Sequence, residues 1–400
     1  MRAFQLFSKE KVIISFYALV SVLIAIQRYA GGPRRYNNFT IFRQALFHLQ
    51  NHQNLYLEYP REYADLFLYH PTFCILFFPF SVLPIPAGLL LWALAGSFIM
   101  FYAIKVLPVS YENKVFFWWF IIVELVVSIH GQQTNSIIAA LGLFTFAFLE
   151  KDKQKWAALF PVLAFCIKGY GLIFLALFLF YPNRREYIRY TILWMTALLL
   201  LPLPVVGTGH FVQIYKDWLV CLINDHKDNF GFSIMGLVKM KWPALTDMDT
   251  MLIQLAGLVL FAVTWIKTLV EGTVRSLSNR LLLLGYISLW VIMFNHSAES
   301  PTYVIAVQGV ILFYIVNRYN DSTWPKLLIS FVLIFSLMAV SEIVPSSWEN
   351  EFLQPNLVKV LPCFLVWCVI QWQLLSLRNR RELTVKVEKF RVAMPLAEVR

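Results

Sequence analysis

The sequence predicts an all-α fold: a polytopic transmembrane bundle of about ten to twelve membrane segments, some of half length. Three observations predict it. Of the 400 residues, 59% are hydrophobic and 14% charged, and the mean hydropathy is +0.64, against roughly 45–50% apolar and about 25% charged in an ordinary soluble domain. Apolar runs separated by short polar stretches recur from residue 12 to residue 377, most of them longer than a buried core helix needs. The net charge of +11 gathers in loops and at the carboxyl end, the pattern of the positive-inside rule, and this sets a nucleic-acid partner aside in favour of the lipid bilayer.

Each element follows in order. Arg2, Lys9 and Lys11 precede the apolar stretch Val12 to Ile26 with no small-residue cleavage site after it, which reads as an uncleaved first helix starting in the cytoplasm. Loop charge assigns to the cytoplasm that start, residues 105–114, 151–155, 181–189, 267–280 and 317–326, and a basic tail at 378–400 with seven Lys or Arg against three Glu. Alternation leaves residues 31–70, 129–135, 207–250, 295–300 and 341–356 outside. Residues 1–377 therefore form one transmembrane domain followed by the tail. Cys74, Cys166, Cys363 and Cys368 lie in apolar runs and only Cys221 is near a polar loop, without any CxxC pair. Neither a disulfide framework nor cysteine chemistry is expected.

Two segments strain a simple count. Pro71 to Ile104 has 34 residues with Pro79, Pro84 and Pro86 inside, where one crossing takes about 20. A short piece over Thr72 to Leu83, entering partway, followed by a full helix from Ile85 satisfies the prolines. Trp156 to Phe180 has only 25 residues between two basic loops and is interrupted by Lys168-Gly169-Tyr170-Gly171. Two half-length helices meeting at that break are expected, and a break at membrane depth should line a site. Of the two long outer loops, 31–70 and 207–250, the first spaces Phe39, Ile41, Phe42, Leu46, Phe47 and Leu49 like one face of an amphipathic helix lying on the outer surface.

Polar clusters then converge on the outer side. Lys168 is the only charged residue between Trp156 and Phe180; it either snorkels to the interface or holds a phosphate or carboxylate beside the break. Asp65, five residues ahead of the helix start, has apolar neighbours in sequence that suit a base, whereas Glu58 and Glu62 read as solvated loop carboxylates. Arg34, Arg35 and Arg43 suit headgroup phosphate, specifically or not. Ile129 to Asn135 sets His130, Gln132, Gln133, Thr134 and Asn135 at an outer turn, Asn224 to Asn229 includes His226, and Asn295 to Pro301 includes His296 and Glu299. His296 and Glu299 have the i, i+3 spacing of metal ligands, but Pro301 marks the beginning of a helix there, no HExxH occurs, and no metal or other cofactor is expected. Neither GxSxG nor a P-loop is present.

These residues resemble a known family, the polytopic GT-C glycosyltransferases, and within them glycosyltransferase family 87, the polyprenyl-phosphate-mannose-dependent alpha-mannosyltransferases. Tyr69-His70-Pro71-Thr72-Phe73, with Pro79 and Pro84, is similar to its Tyr-x-Pro-x-Phe stretch. Gly131-Gln132, Asn135 and Ile167-Lys168 look like its "GQxN … (I/L)KP" core, with Gly169 where proline is usual. Asn229 to Gly236 is similar to its "NxS" loop. The likeness covers residues 35 to 310. It implies a single GT-C type domain that moves a hexose, mannose by family likeness, from a polyprenyl-phosphate carrier to a lipid or glycan hydroxyl. The setting it implies is the outer face of a bacterial-type inner membrane, both termini cytoplasmic.

One departure matters. The family's acidic residue in the first outer loop, taken as its catalytic base, is replaced here by Asn38, and an amide cannot take a proton. Either another carboxylate serves, with Asp65 and Glu299 as candidates, or the chain binds without catalysis. The substrate-binding set implied alongside is Asn38, Arg43, Tyr69, Gln132, Asn135, Lys168, His226, Asn229 and His296. One carboxylate suffices, because a phosphate leaves more readily than the alkoxide a glycosidase must protonate. Two other classes compete. A lipid-linked-sugar flippase or transporter should carry paired charges in several crossings, and apart from Lys168 and Glu124 few are seen. A noncatalytic scaffold accounts for Asn38 but leaves the polar clusters and the broken segment without a reason.

Overall fold

The computed structural model describes residues 2–225, 231–318, 323–338 and 357–376, and every regular element among them is helical. The acidic loop 341–356 and the tail 378–400 lie outside the described residues. In chain order the helices are α1 (Arg2–Phe7), α2 (Glu10–Ala30), α3 (Asn37–Gln50), α4 (Pro71–Leu76), α5 (Phe78–Ser81), α6 (Ile85–Val106), α7 (Tyr111–His130), α8 (Asn135–Glu150) and α9 (Gln154–Ile167). After a 3-10 helix over Gly169–Phe180 come α10 (Arg184–Leu199), α11 (Leu203–Asp225), α12 (Ile234–Lys241), α13 (Asp247–Val270), α14 (Leu277–Met293), α15 (Tyr303–Asn317), α16 (Trp324–Met338) and α17 (Val360–Leu375). Five described spans are long and apolar enough to cross a bilayer, and six shorter apolar helices accompany them. The protein is thus an all-α, multi-pass membrane protein.

The centre belongs to α14 and α15, whose side chains are buried nearly all round, as a helix without a polar face requires. Their backbones cross at Gly285 and Gly309, where a Cβ on Gly309 would stand 2.7 Å from the Gly285 carbonyl oxygen. Small residues at a crossing give membrane helices the close approach they need. Outward faces remain apolar, with Leu19, Leu23, Ile192, Leu193, Leu255, Val259 and Ile266 exposed, the surface that lipid covers.

The basic loops gather at one end of the bundle. Lys105 pairs with Glu10 and Arg318 with Glu112, Arg280 Nη2 donates to Glu150 Oε2 at 2.9 Å, Tyr181 donates to Glu150 at 2.6 Å, and Lys114 lies within electrostatic range of Lys151. At the other end the prolines divide Pro71 to Ile104 as expected: α4 and α5 are short, and α6 starts at Ile85. Pro79 stands in the first turn of α5, where its missing N–H is tolerated and a continuous helix is not. The amphipathic segment of the first long loop is α3, but its apolar face is covered by protein. Phe39 and Phe42 meet Phe77 at 5.6 and 5.4 Å, so it packs on the short helices.

The interrupted segment breaks where expected. Lys168 is extended (φ −134°, ψ 129°) between α9 and the 3-10 helix, and the two halves pack against each other. The second half differs from expectation in being 3-10 for 12 residues, whereas such runs rarely exceed about four. With three residues per turn, Gly171, Phe174 and Leu177 stack into one straight buried ridge. Phe174 covers Gly142 of α8, and Gly171 lies so near α9 that a Cβ would stand 2.6 Å from the Ala164 carbonyl carbon. That neighbour is backbone and cannot turn aside. Gly171→Ala is therefore expected to destabilise the protein by about 1–3 kcal/mol, read as a lower unfolding midpoint of the purified protein in detergent.

The second long loop begins within α11, which is bent 91° from α10 at the break between them. Gly207 (φ 68°) adds a second irregularity. The bend carries α11 over the site end, where Trp218 meets His70 at 4.6 Å and His210 stacks on His52 at 4.5 Å.

Candidate functional site

The turn between α7 and α8 is the platform. Gln132 adopts φ 51°, its carbonyl accepts from Trp92 Nε1 at 2.9 Å, and Asn38 Nδ2 donates to the Gly131 carbonyl at 2.8 Å. This positive φ turns the Gln132 side chain back onto its own turn, where it donates to the His130 carbonyl and is buried. Gln132, expected to bind substrate, is thus taken up by the platform, and Gln133 faces the site instead.

Asn135 opens α8 fully buried. Its Oδ1 accepts from Lys168 Nζ at 3.4 Å and from Tyr170 at 3.2 Å, and its Nδ2 is a buried donor with no partner among the described residues. The Lys168 ammonium stands 5.3 Å over the Tyr69 ring, close enough for a cation–π contact. Tyr69 donates to Gln133 Oε1 at 3.1 Å, and Gln133 Nε2 in turn reaches Glu299 Oε2 at 3.4 Å. A polar chain therefore runs from Asn135 and Lys168 through Tyr69 and Gln133 to Glu299. Burial above all, then the negative charges of Glu299 and Asp65, hold the Tyr69 hydroxyl above its ordinary pKa. It remains a proton donor, and both carboxylates are electrostatic neighbours of one ring.

Glu299 opens the single 3-10 turn Ser300–Thr302: its carbonyl oxygen accepts from the Thr302 amide at 2.9 Å, and Thr302 Oγ1 accepts from the Glu299 amide at 3.2 Å. Its side chain is exposed, so the turn fixes its backbone without shielding the carboxylate. Asp65 is exposed too, which corrects the expectation of an apolar setting. The apolar neighbours in sequence, Phe67 and Tyr69, turn into the core. Asp65 has φ 81°, a left-handed conformation that costs a non-glycine residue about 1–2 kcal/mol. Asn37 supplies the restraint: it donates to the Ala64 carbonyl at 2.6 Å and accepts from the Ala64 amide at 2.9 Å.

The remaining expected residues are placed as follows. Asn38 braces the Gly131 turn. Arg43 donates Nε to the Ser81 carbonyl at 2.9 Å and lies over Phe47, so it ties α3 to α5. His296 lies beside Gly231, its carbonyl oxygen 2.9 Å from where a Cβ would be. Residues 294–299 are not helical, so the i, i+3 spacing of His296 and Glu299 gives them no shared helix face. His226 and Asn229 lie outside the described residues. Glu62, expected to be solvated, stays exposed but pairs with His48 at 3.0 Å. His70 caps α4 by accepting from the Thr72 amide at 3.2 Å, and burial pushes its imidazole down to about 4, so it is neutral.

Sequence reasoning left Gln133, Asn37 and Tyr170 out of the expected binding set, although Gln133 was placed in the turn and Tyr170 in the break. Gln133 and Tyr170 stand beside the residues it did choose, and the turn geometry that selects between neighbours has no compositional signal.

The profile of glycosyltransferase family 87 matches residues 67–341. The matched stretch contains Tyr69, Gln133, Asn135, Lys168 and Glu299, and begins after Asp65. No curated protein matches the chain.

Proposed function

The chain belongs to glycosyltransferase family 87, and from that membership we propose that this membrane glycosyltransferase moves a hexose, mannose first, from a polyprenyl-phosphate carrier to a lipid or glycan hydroxyl. The setting proposed is the outer face of a bacterial-type inner membrane. The observation that carries the reading is the run of polar groups from Asn135 and Lys168, across the ring face of Tyr69, to Gln133 and Glu299, with a cation at one end and an exposed carboxylate at the other.

In the proposed reaction the donor phosphate sits against Lys168, and the unpartnered Asn135 Nδ2 donates to one of its oxygens. Glu299 takes the proton of the acceptor hydroxyl as that oxygen bonds to the anomeric carbon. The bond from that carbon to the phosphate oxygen breaks, and the phosphate departs with the electron pair, its charge met by Lys168. A single displacement inverts the anomeric centre. The proposal asks for no metal, because a phosphate monoester already leaves readily and the lysine supplies the positive charge. Asp65 is the second reading for the base, favoured by its left-handed backbone, since strain of that kind concentrates at functional sites.

The test is transfer in membranes carrying the wild-type chain, supplied with radiolabelled polyprenyl-phosphate-mannose, polyprenyl-phosphate-glucose or a nucleotide sugar. The expected result is labelled lipid or glycan from the mannosyl carrier, with inversion seen by NMR of the product. Transfer from the nucleotide sugar alone overturns the donor assignment. Transfer from none of the three overturns the reaction.

A further inference from the structure

Behind the site lies an ion pair that the proposed chemistry does not use. Glu124 is 0% exposed and Lys359 2%, and the lysine Nζ donates to Glu124 Oε2 at 2.9 Å. Glu124 stands six residues before the end of α7, about 9 Å below it at 1.5 Å per residue. Stability does not account for such a pair, because apolar side chains of similar volume fill buried sites as well or better. Ionisable groups at membrane depth are instead a mark of function.

What the pair touches supplies the reason. The same Lys359 ammonium donates to Ser300 Oγ at 3.1 Å and lies 5.7 Å over the Tyr303 ring. Ser300 directly follows Glu299. Tyr303 donates to the Phe232 carbonyl at 2.8 Å, and the Phe232 amide donates to the Ala298 carbonyl at 2.6 Å. One buried cation therefore joins α7, the residue next to the carboxylate, and the strand of chain that flanks it on the other side. We propose that Glu124 and Lys359 are positioning residues: through Ser300 they fix the angle at which Glu299 meets Gln133 and the acceptor. The inference rests on the reading of Glu299 as the base. Lys359 itself touches no reacting atom in that scheme.

The deciding variant is the double apolar replacement Glu124→Leu/Lys359→Met, which leaves no charge unpaired. It is expected to purify monodisperse with an unfolding midpoint no lower than wild type and to keep its donor KM within about threefold. Its kcat should fall roughly tenfold or more, as misplacing a reacting group by a fraction of an ångström does. Ser300→Ala should reproduce part of that loss, and Ser300→Thr, which keeps the hydroxyl, should restore it. A double variant that folds and keeps kcat within about twofold of wild type overturns the inference, and so does Ser300→Ala indistinguishable from wild type. If the double variant does not fold, the Ser300 pair decides alone. A second readout needs no activity: Glu299→Cys is labelled by a membrane-impermeant maleimide in both backgrounds. The inference predicts a labelling rate changed at least about threefold by removing the ion pair, and an unchanged rate overturns it. Failure of the base reading shows separately, as Glu299→Gln that retains full transfer.

Discussion

Glu299→Gln abolishes sugar transfer, with kcat expected to fall about 10²–10⁴-fold, the range that general base catalysis supplies. The substitution is nearly isosteric. A glutamine carbonyl still accepts from Gln133, as the Glu299 carboxylate does now, and the bonds of the turn run through the backbone of residue 299, so the 3-10 turn and the platform keep their geometry. Because position 299 is exposed, fold stability should move by less than about 0.5 kcal/mol. Donor KM should change little, since the phosphate contacts belong to Lys168 and Asn135. Transfer assays with purified protein and labelled carrier separate these terms. Asp65→Asn is the control: it keeps the hydrogen bond to the Leu66 amide through the amide oxygen and removes the charge. If Asp65→Asn is the dead variant and Glu299→Gln turns over normally, the base lies in the first long loop.

The sequence carried the helices because they rest on local signals. Apolar runs set the spans, prolines at 79, 84 and 86 set the divisions, and Lys168-Gly169-Tyr170-Gly171 set the break. The site was partly legible for the same reason: Tyr69, Asn135, Lys168 and Glu299 each flank the end of an apolar run, so alternation places them on one side. Three features were not legible. An apolar 12-residue segment has no pattern that tells three residues per turn from 3.6, so the 3-10 helix appeared only when its ridge of Gly171, Phe174 and Leu177 met α8 and α9. The choice between Gln132 and Gln133 depends on one backbone torsion. The partner of Glu124 lies 235 residues away, with no local pattern in the sequence that ties the two together. A charge in a crossing signals that a partner exists, but pairing at that distance is decided by the packing of α7 against its neighbours.

Lys168→Met is the second large effect, and it separates charge from shape. Methionine keeps an unbranched chain over the Tyr69 ring and removes only the ammonium, so the contact at 5.3 Å loses its electrostatic part while the packing remains. The half-buried lysine pays a desolvation cost that methionine does not, and the variant should be at least as stable as wild type in thermal unfolding. If the ammonium meets charge that develops on the departing phosphate, kcat and kcat/KM fall together, by about 10²–10³-fold. If it only holds the donor's ground-state charge, KM rises and kcat stands. Lys168→Arg refines the assignment: a planar guanidinium keeps the charge but spreads its donors, so it should recover donor binding more fully than turnover. The interface reading of this residue makes the opposite prediction. A lysine that merely snorkels is replaceable by methionine without loss, and a Lys168→Met chain that keeps both kcat and KM would remove the cation from the proposed mechanism. In that event the leaving phosphate would need another source of positive charge at the site.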